Sequence, residues 1–131
     1  MAYVLDTNVA IHLRDGDAAI ADKVAALDDA ILISVVTRVE LEGGVHRDAV
    51  DATIRRARLD VLLAAIPTLA FDDEAADAYG AIVAHAGYSR RKLLDRMIAA
   101  QALVHRATLV TMNPVDFADI AGLDVRSWAS A

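Results

Sequence analysis

The run Ala2-Tyr3-Val4-Leu5, followed at once by Asp6-Thr7-Asn8, decides how the rest of the chain is read. Four apolar residues that halt abruptly at three polar ones describe a buried strand delivering polar groups at its carboxyl end. Ile31-Leu32-Ile33-Ser34 repeats the pattern as a second strand. Pro67-Thr68-Leu69-Ala70-Phe71 and Thr108-Leu109-Val110-Thr111 read as a third and a fourth, and residues 123–126 as a fifth. Helical patterns fill the intervals: a short helix up to Asp15-Gly16, then 18–27, one carrying Thr37, Glu40, Leu41 and Val45, then 49–65, 72–86 and 91–106. Gly43-Gly44 should weaken the later part of the third of these. Pro114 opens a further short helix after Asn113. Strands alternating with helices imply an α/β fold whose parallel sheet is covered on both faces.

A chain of 131 residues without a repeat or a linker is expected to form one domain, 1–131. An apolar fraction of 56% excludes disorder and leaves room for an apolar surface kept for a partner. Cysteine is absent, so disulfides and thiolate metal sites are excluded, and any metal must be held by oxygen or imidazole. A net charge of −6 argues against holding nucleic acid by bulk attraction, yet permits an enzyme with acidic metal ligands and a local basic rim. No window approaches the roughly 18 apolar residues of a membrane span, and the opening is interrupted by Asp6 and Asn8. A cytoplasmic protein is expected.

Four acids stand out, each with a structural explanation beside the chemical one. Asp6 stands where an N-cap stands. Glu40 follows Thr37 by three residues, as in a capping box. Asp116 follows Asn113 by three, where a helix dipole would welcome it. Asp95 shares a helical face with Ile98, Ala99 and Ala102. A carboxylate on a core-facing stripe costs several kcal/mol by rough estimate unless something compensates it. A cation-filled pocket is one remedy and an arginine partner the other.

The joint pattern decides more than its members. In an open parallel sheet, ligands bind outside the carboxyl ends of the strands. Asp6, Glu40, Asn113 and Asp116 all follow such ends, and Asp95 lies on the helix feeding the fourth strand. Carboxylates gathered in one cleft cannot all stay ionised without cations. Hard divalent ions, Mg2+ or Mn2+, suit oxygen ligands, and the chemistry they favour is phosphodiester hydrolysis. Asn8, Thr37 and Asn113 would orient carboxylates, water or substrate. Arg90 and Arg91, with Lys92, would steer phosphates, unless they form only a solvated helix start.

At these residues the chain resembles the PIN-domain ribonucleases, specifically the VapC toxins of bacterial toxin–antitoxin pairs. The resemblance rests on Val4-Leu5-Asp6-Thr7-Asn8-Val9, on Ser34 through Leu41 with Gly44 beyond, on Asp95 with Ile98-Ala99-Ala100, and on Thr111 through Phe117. It implies a three-layer α/β/α fold with a five-stranded parallel sheet, and a divalent-metal site at Asp6, Glu40, Asp95 and Asp116. It also implies endoribonuclease action on structured RNA such as tRNA or rRNA. A homodimer, inhibition by a VapB-type antitoxin, and contact with DNA only through that antitoxin complete the implication. Arg96 departs from the small or aliphatic residue usual after the third acid, but points about 100° away on a helix. Asp119, one turn beyond Asp116, is a second candidate for the fourth acid.

The remaining residues are assigned more plainly. Arg55, Arg56 and Arg58 read as a solvated helical face, and the four histidines lack metal spacing. Trp128 and Tyr88 read as packing or rim residues. The helices near 18–27 and 49–65 carry enough alanine and leucine for a groove that accepts an antitoxin helix. Two rivals remain in view. A phosphatase or phosphoacceptor domain would use Asp6 as nucleophile, but usually has a second acid two residues on and a late lysine, where this chain has Asn8 and Asn113. A non-catalytic acidic binding module is the other.

Overall fold

In the computed structural model, residues 1–129 are described, and they form an α/β/α sandwich. The strands β1 (Tyr3–Leu5), β2 (Ile31–Ser34), β3 (Thr68–Leu69), β4 (Thr108–Thr111) and β5 (Val125–Ser127) are all parallel, in the order β3-β2-β1-β4-β5. β1 is central, with Tyr3 opposite both Ile31 and Thr108. Alternation along the strands sends side chains to two cores. Val4 and Leu109 pack with Ile82, Ile98 and Phe117 on one face. Tyr3, Leu5, Ile33 and Val110 pack with Val9, Ile20 and Leu62 on the other.

The helices are α1 (Thr7–Arg14), α2 (Ala18–Ala25), α3 (Val35–Val45), α4 (Ala52–Ala65), α5 (Asp73–Ala86) and α6 (Leu93–Val104), with a 3-10 turn over Pro114–Phe117. Their starts are set by local chemistry. Asp17 accepts from Ala19 and Ile20 N–H, and Asp72 from Ala75 N–H. Gly87, at φ 86°, ends α5 in a conformation that glycine enters without strain. Several bounds differ from expectation. The third strand shrinks to Thr68–Leu69 and the fifth shifts to 125–127. α4 begins at Ala52 rather than 49, and α6 spans Leu93–Val104 rather than 91–106.

Gly43 and Gly44 do not end α3, which continues to Val45. The reason is tertiary. Leu41 and Val45 anchor that end among Ala10 and Leu59, and a Cβ on Gly44 would meet Arg14 Nη1 at 3.3 Å. The glycine therefore admits a close neighbour, at a helix-propensity cost of about 1 kcal/mol. No helix among the described residues is long and apolar enough to cross a membrane.

Candidate active site

The chain runs from β1 outward to β2 on one side and returns to β4 on the other, so the strand order reverses between β1 and β4. Ligands bind at such a point, beyond the carboxyl ends. Asp6 follows β1 there and caps α1, accepting from Thr7 N–H at 2.8 Å through Oδ1. Its other oxygen, Oδ2, accepts from Thr111 Oγ1 at the end of β4, also at 2.8 Å. The cap reading and the site reading of Asp6 are thus both realised by one buried side chain. Burial pushes its carboxyl above the ordinary range, against the pull of the Thr111 and Thr7 bonds, and Asp116 adds to the rise.

Thr37 and Glu40 do not make a capping box. α3 is capped by Ser34, whose Oγ accepts from Val36 N–H at 2.9 Å, so Thr37 lies inside the helix and is fully buried. Its hydroxyl lies 3.0 Å from that of Thr7, and Thr7 Oγ1 donates to Glu40 Oε1 at 2.7 Å. Thr7, which the sequence reading passed over, is therefore the link that fixes Glu40 against the first strand's end. Its position directly after the capping acid was the available signal.

Asp6, Glu40, Asp95 and Asp116 line one cleft of about 690 Å³, together with the exposed Asn8. Among the described residues none of these four acids makes an ion pair. Asp95 shows the consequence. Its carboxyl is pushed up to about 6, first by burial and then by the charges of Asp6, Asp116 and Glu40, with Arg91 opposing weakly. The arginine partner that would have made Asp95 a structural residue is absent among the described residues.

Arg96 turns away from the cleft, as its helical angle requires. It is 2% exposed, donating through Nη1 to Gly87 O at 2.6 Å and through Nη2 to Asp119 Oδ2 at 3.1 Å. Lys92 Nζ donates to the same Asp119 oxygen at 3.1 Å. Asp119 is thereby paired and lines a different hollow, while Asp116 is the acid that lines the cleft.

The expected phosphate rim is partly corrected. Lys92 is occupied with Asp119, and Arg90 and Arg91 are exposed and do not line the cleft. Asn113 does not line it either; its backbone N–H donates to Thr111 Oγ1 at 3.0 Å. The cations that do line the cleft are Arg14, Arg47 and Arg55. Arg55 had been read as part of a solvated face; contact between α3 and α4 instead carries it to Gly44, whose carbonyl it reaches at 3.4 Å. Arg56 does stay on the outer surface, paired with Glu42 and Asp60.

The donor set fits a hard cation in kind: four carboxylates, no sulfur, and, among the described residues, no ion pair to any of the four. Among the described residues no three of them converge closely enough to enclose one ion. That spacing suits an open site, since magnesium is usually bound by one or two carboxylates and keeps several waters. A second cleft of about 690 Å³ is apolar and opens between α2 and α4, over Leu13, Val24, Ile31, Val61, Leu62 and Ile66.

Residues 3–123 match the PIN domain family. The chain belongs to that family. It is similar to ribonuclease VapC2 of Rickettsia felis, with 27% identity over 98% of each chain. It is also 26% identical to the tRNA(fMet)-specific endonuclease VapC of Shigella flexneri, over 98% of this chain and 99% of that one. Its fold superimposes with a TM-score of 0.85 on a chain of VapBC2 from Rickettsia felis bound to a DNA fragment from its promoter, at 25% identity, covering 98% and 99% of the two chains. The α/β/α architecture and five-stranded parallel sheet of this PIN domain are those that its sequence implied.

Proposed function

We propose that this PIN domain is a VapC-type endoribonuclease toxin, dependent on Mg2+ or Mn2+, which cuts structured RNA and is held in check by a VapB-type antitoxin. The observation that carries the reading is the cleft of four carboxylates, none of them ion-paired among the described residues. Asp6, Glu40, Asp95 and Asp116 are the residues that would hold divalent ions. Bound there, such ions lower the pKa of water and stabilise charge on the leaving oxygen. The chain's own part is orientation. Thr7 N–H and Thr111 Oγ1 fix both oxygens of Asp6, and Thr7 Oγ1 fixes Glu40, so neither acid must reorganise when the ions and the phosphodiester arrive. Asn8, exposed and lining the same cleft, would contact the strand.

Transfer RNA is the favoured substrate class, because one similar protein is named for cutting it. The neighbouring VapBC assembly supports an antitoxin partner, and its DNA fragment supports DNA contact through that antitoxin. The apolar cleft between α2 and α4 is the surface we assign to an antitoxin helix. Assembly as a homodimer and action in the cytoplasm belong to the same reading, as does a single domain over 1–131.

Incubating the purified chain with total tRNA and rRNA, with magnesium, manganese or excess chelator, and sequencing the new RNA ends tests it. The expected outcome is discrete internal cuts that vanish in chelator. Full cleavage in chelator would overturn the metal site, and intact RNA in every metal would overturn the nuclease. Phosphate trapped on Asp6 would favour the phosphoacceptor alternative.

A further inference from the structure

The cleft carries four acids around Asp6 and, toward the far end of α1, three arginines with a single acid, Asp15, among them. Asp6 caps the first turn of α1 and Arg14 is its last residue, so the two lie roughly 12 Å apart along the helix axis, yet both line the same cavity. Arg47, just past the end of α3, and Arg55, on α4, join Arg14 there. Their hydrogen bonding is incomplete. Arg14 has a side chain only 6% exposed, and its Nε donates to Asp15 Oδ1 at 3.0 Å. Its terminal nitrogens have no acceptor among the described residues. Among the described residues Arg55 has only the long 3.4 Å contact to Gly44 O, and Arg47 makes no side-chain bond and no ion pair. Gly44 is the wall between them, and its missing side chain leaves Arg14 Nη1 room to reach the cleft.

Three guanidinium groups with free donors lining one cavity, of which only Arg14 is ion-paired, to Asp15, make a receptor for an anion with several oxygens. Among the described residues none of the three pairs with the four carboxylates. The arrangement suits a phosphate farther along a strand whose reacting phosphate sits at the acids. We infer that Arg14, Arg47 and Arg55 form a second subsite, which seats a backbone phosphate of the RNA strand one or two nucleotides from the bond to be cut. The inference rests on the ribonuclease reading for the identity of the strand. It explains how a chain of net charge −6 holds a polyanion: attraction is local, and the strand is threaded from the three arginines to the four acids.

The test measures binding rather than cutting. The full chain carrying Asp6→Asn, in magnesium, is titrated with a fluorescein-labelled single-stranded RNA 12-mer at several salt concentrations. Arg47→Gln and Arg55→Gln are each added to it; Arg14 is left in place because its buried side chain also supports the fold. Each variant is expected to weaken binding about tenfold and to lower the slope of log affinity against log salt by about one. Arg106→Gln, an exposed arginine before β4 and hence at the opposite edge of the sheet, makes the same change in net charge and should leave the slope unaltered. Equal slopes in all variants would overturn the subsite. So would an equal loss from Arg106→Gln, or magnesium affinity that rises in Arg47→Gln and Arg55→Gln while the RNA slope stays fixed, since the arginines would then be counter-charges to the acids. Failure of the nuclease reading shows elsewhere, as uncut RNA with the wild-type chain, and is therefore separable.

Discussion

Asp116 and Asp119 stand one helical turn apart, and the molecule treats them in opposite ways. Asp119 receives Lys92 and Arg96, and the Lys92 bond, helped by Arg96, holds its carboxyl below the usual range. Asp116 receives neither, and instead adds to the charge that pushes Asp95 up to about 6. Two acids of the same type, on the same segment, thus belong to a structural pair and to an uncompensated cleft. Proximity in sequence does not distinguish them. The presence or absence of a cation does, because an unpaired carboxylate beside others is costly unless an external ion relieves it.

The sharpest way to break the contrast is to remove a cleft acid and read activity. Asp6→Asn should lower RNA cleavage by at least about 10³-fold, equivalent to roughly 4 kcal/mol of transition-state stabilisation, while circular dichroism reports an unchanged fold. Residual cleavage within tenfold of wild type would remove Asp6 from the site.

Next in size is the paired side. Arg96→Met keeps most of the apolar stem but leaves Gly87 O without its donor and Asp119 with Lys92 alone. Urea unfolding should show a loss of about 2–4 kcal/mol. Cleavage per folded molecule should be preserved. Asp119→Asn, acting on a carboxylate 36% exposed, should cost less than about 1 kcal/mol and leave cleavage unchanged.

The last effect has the opposite sign. The Asp95 carboxyl keeps its proton to a higher pH in the folded protein than in the unfolded chain, where the ordinary value is 3.8. Between about pH 4 and pH 6 the unfolded chain releases that proton first, so metal-free stability falls as pH rises through this window and stays low above it. Asp95→Asn removes the penalty. At pH 7 without metal it should stabilise the protein by roughly 1–2 kcal/mol, after allowance for solvent screening of a half-buried group, and at pH 4 it should change little. Magnesium should raise the melting temperature of wild type more than that of the mutant. A mutant destabilised at pH 7 and indifferent to magnesium would make Asp95 a structural residue.

Much of this was legible in the residues. Asp6 after an apolar run and Asp95 on a stripe with Ile98 and Ala99 both announced polar groups at buried positions, and the structure places both in one cleft. Thr37 and Glu40 were legible as important but not as to why, since the same spacing fits a capping box. Only the start of α3 at Val35, fixed by Ser34, excludes that explanation. Arg90 and Arg91 adjoin Asp95 in sequence but lie outside the cleft, whereas Arg14, Arg47 and Arg55 come from three separate segments.

The sequence by itself determined the parallel α/β plan, because strand and helix periods, caps and glycine stops are encoded within a few residues of where they act. It also determined that at least one acid would be buried at a cost. The tertiary structure alone decided which acids meet without a counter-ion and which arginines face them. Those outcomes depend on how α1, α3, α4 and α6 pack, and helix packing is set by side chains distant in the chain. A charge acquires its role from what surrounds it in space, and this chain's spacing of like residues leaves that undetermined until the helices are in place.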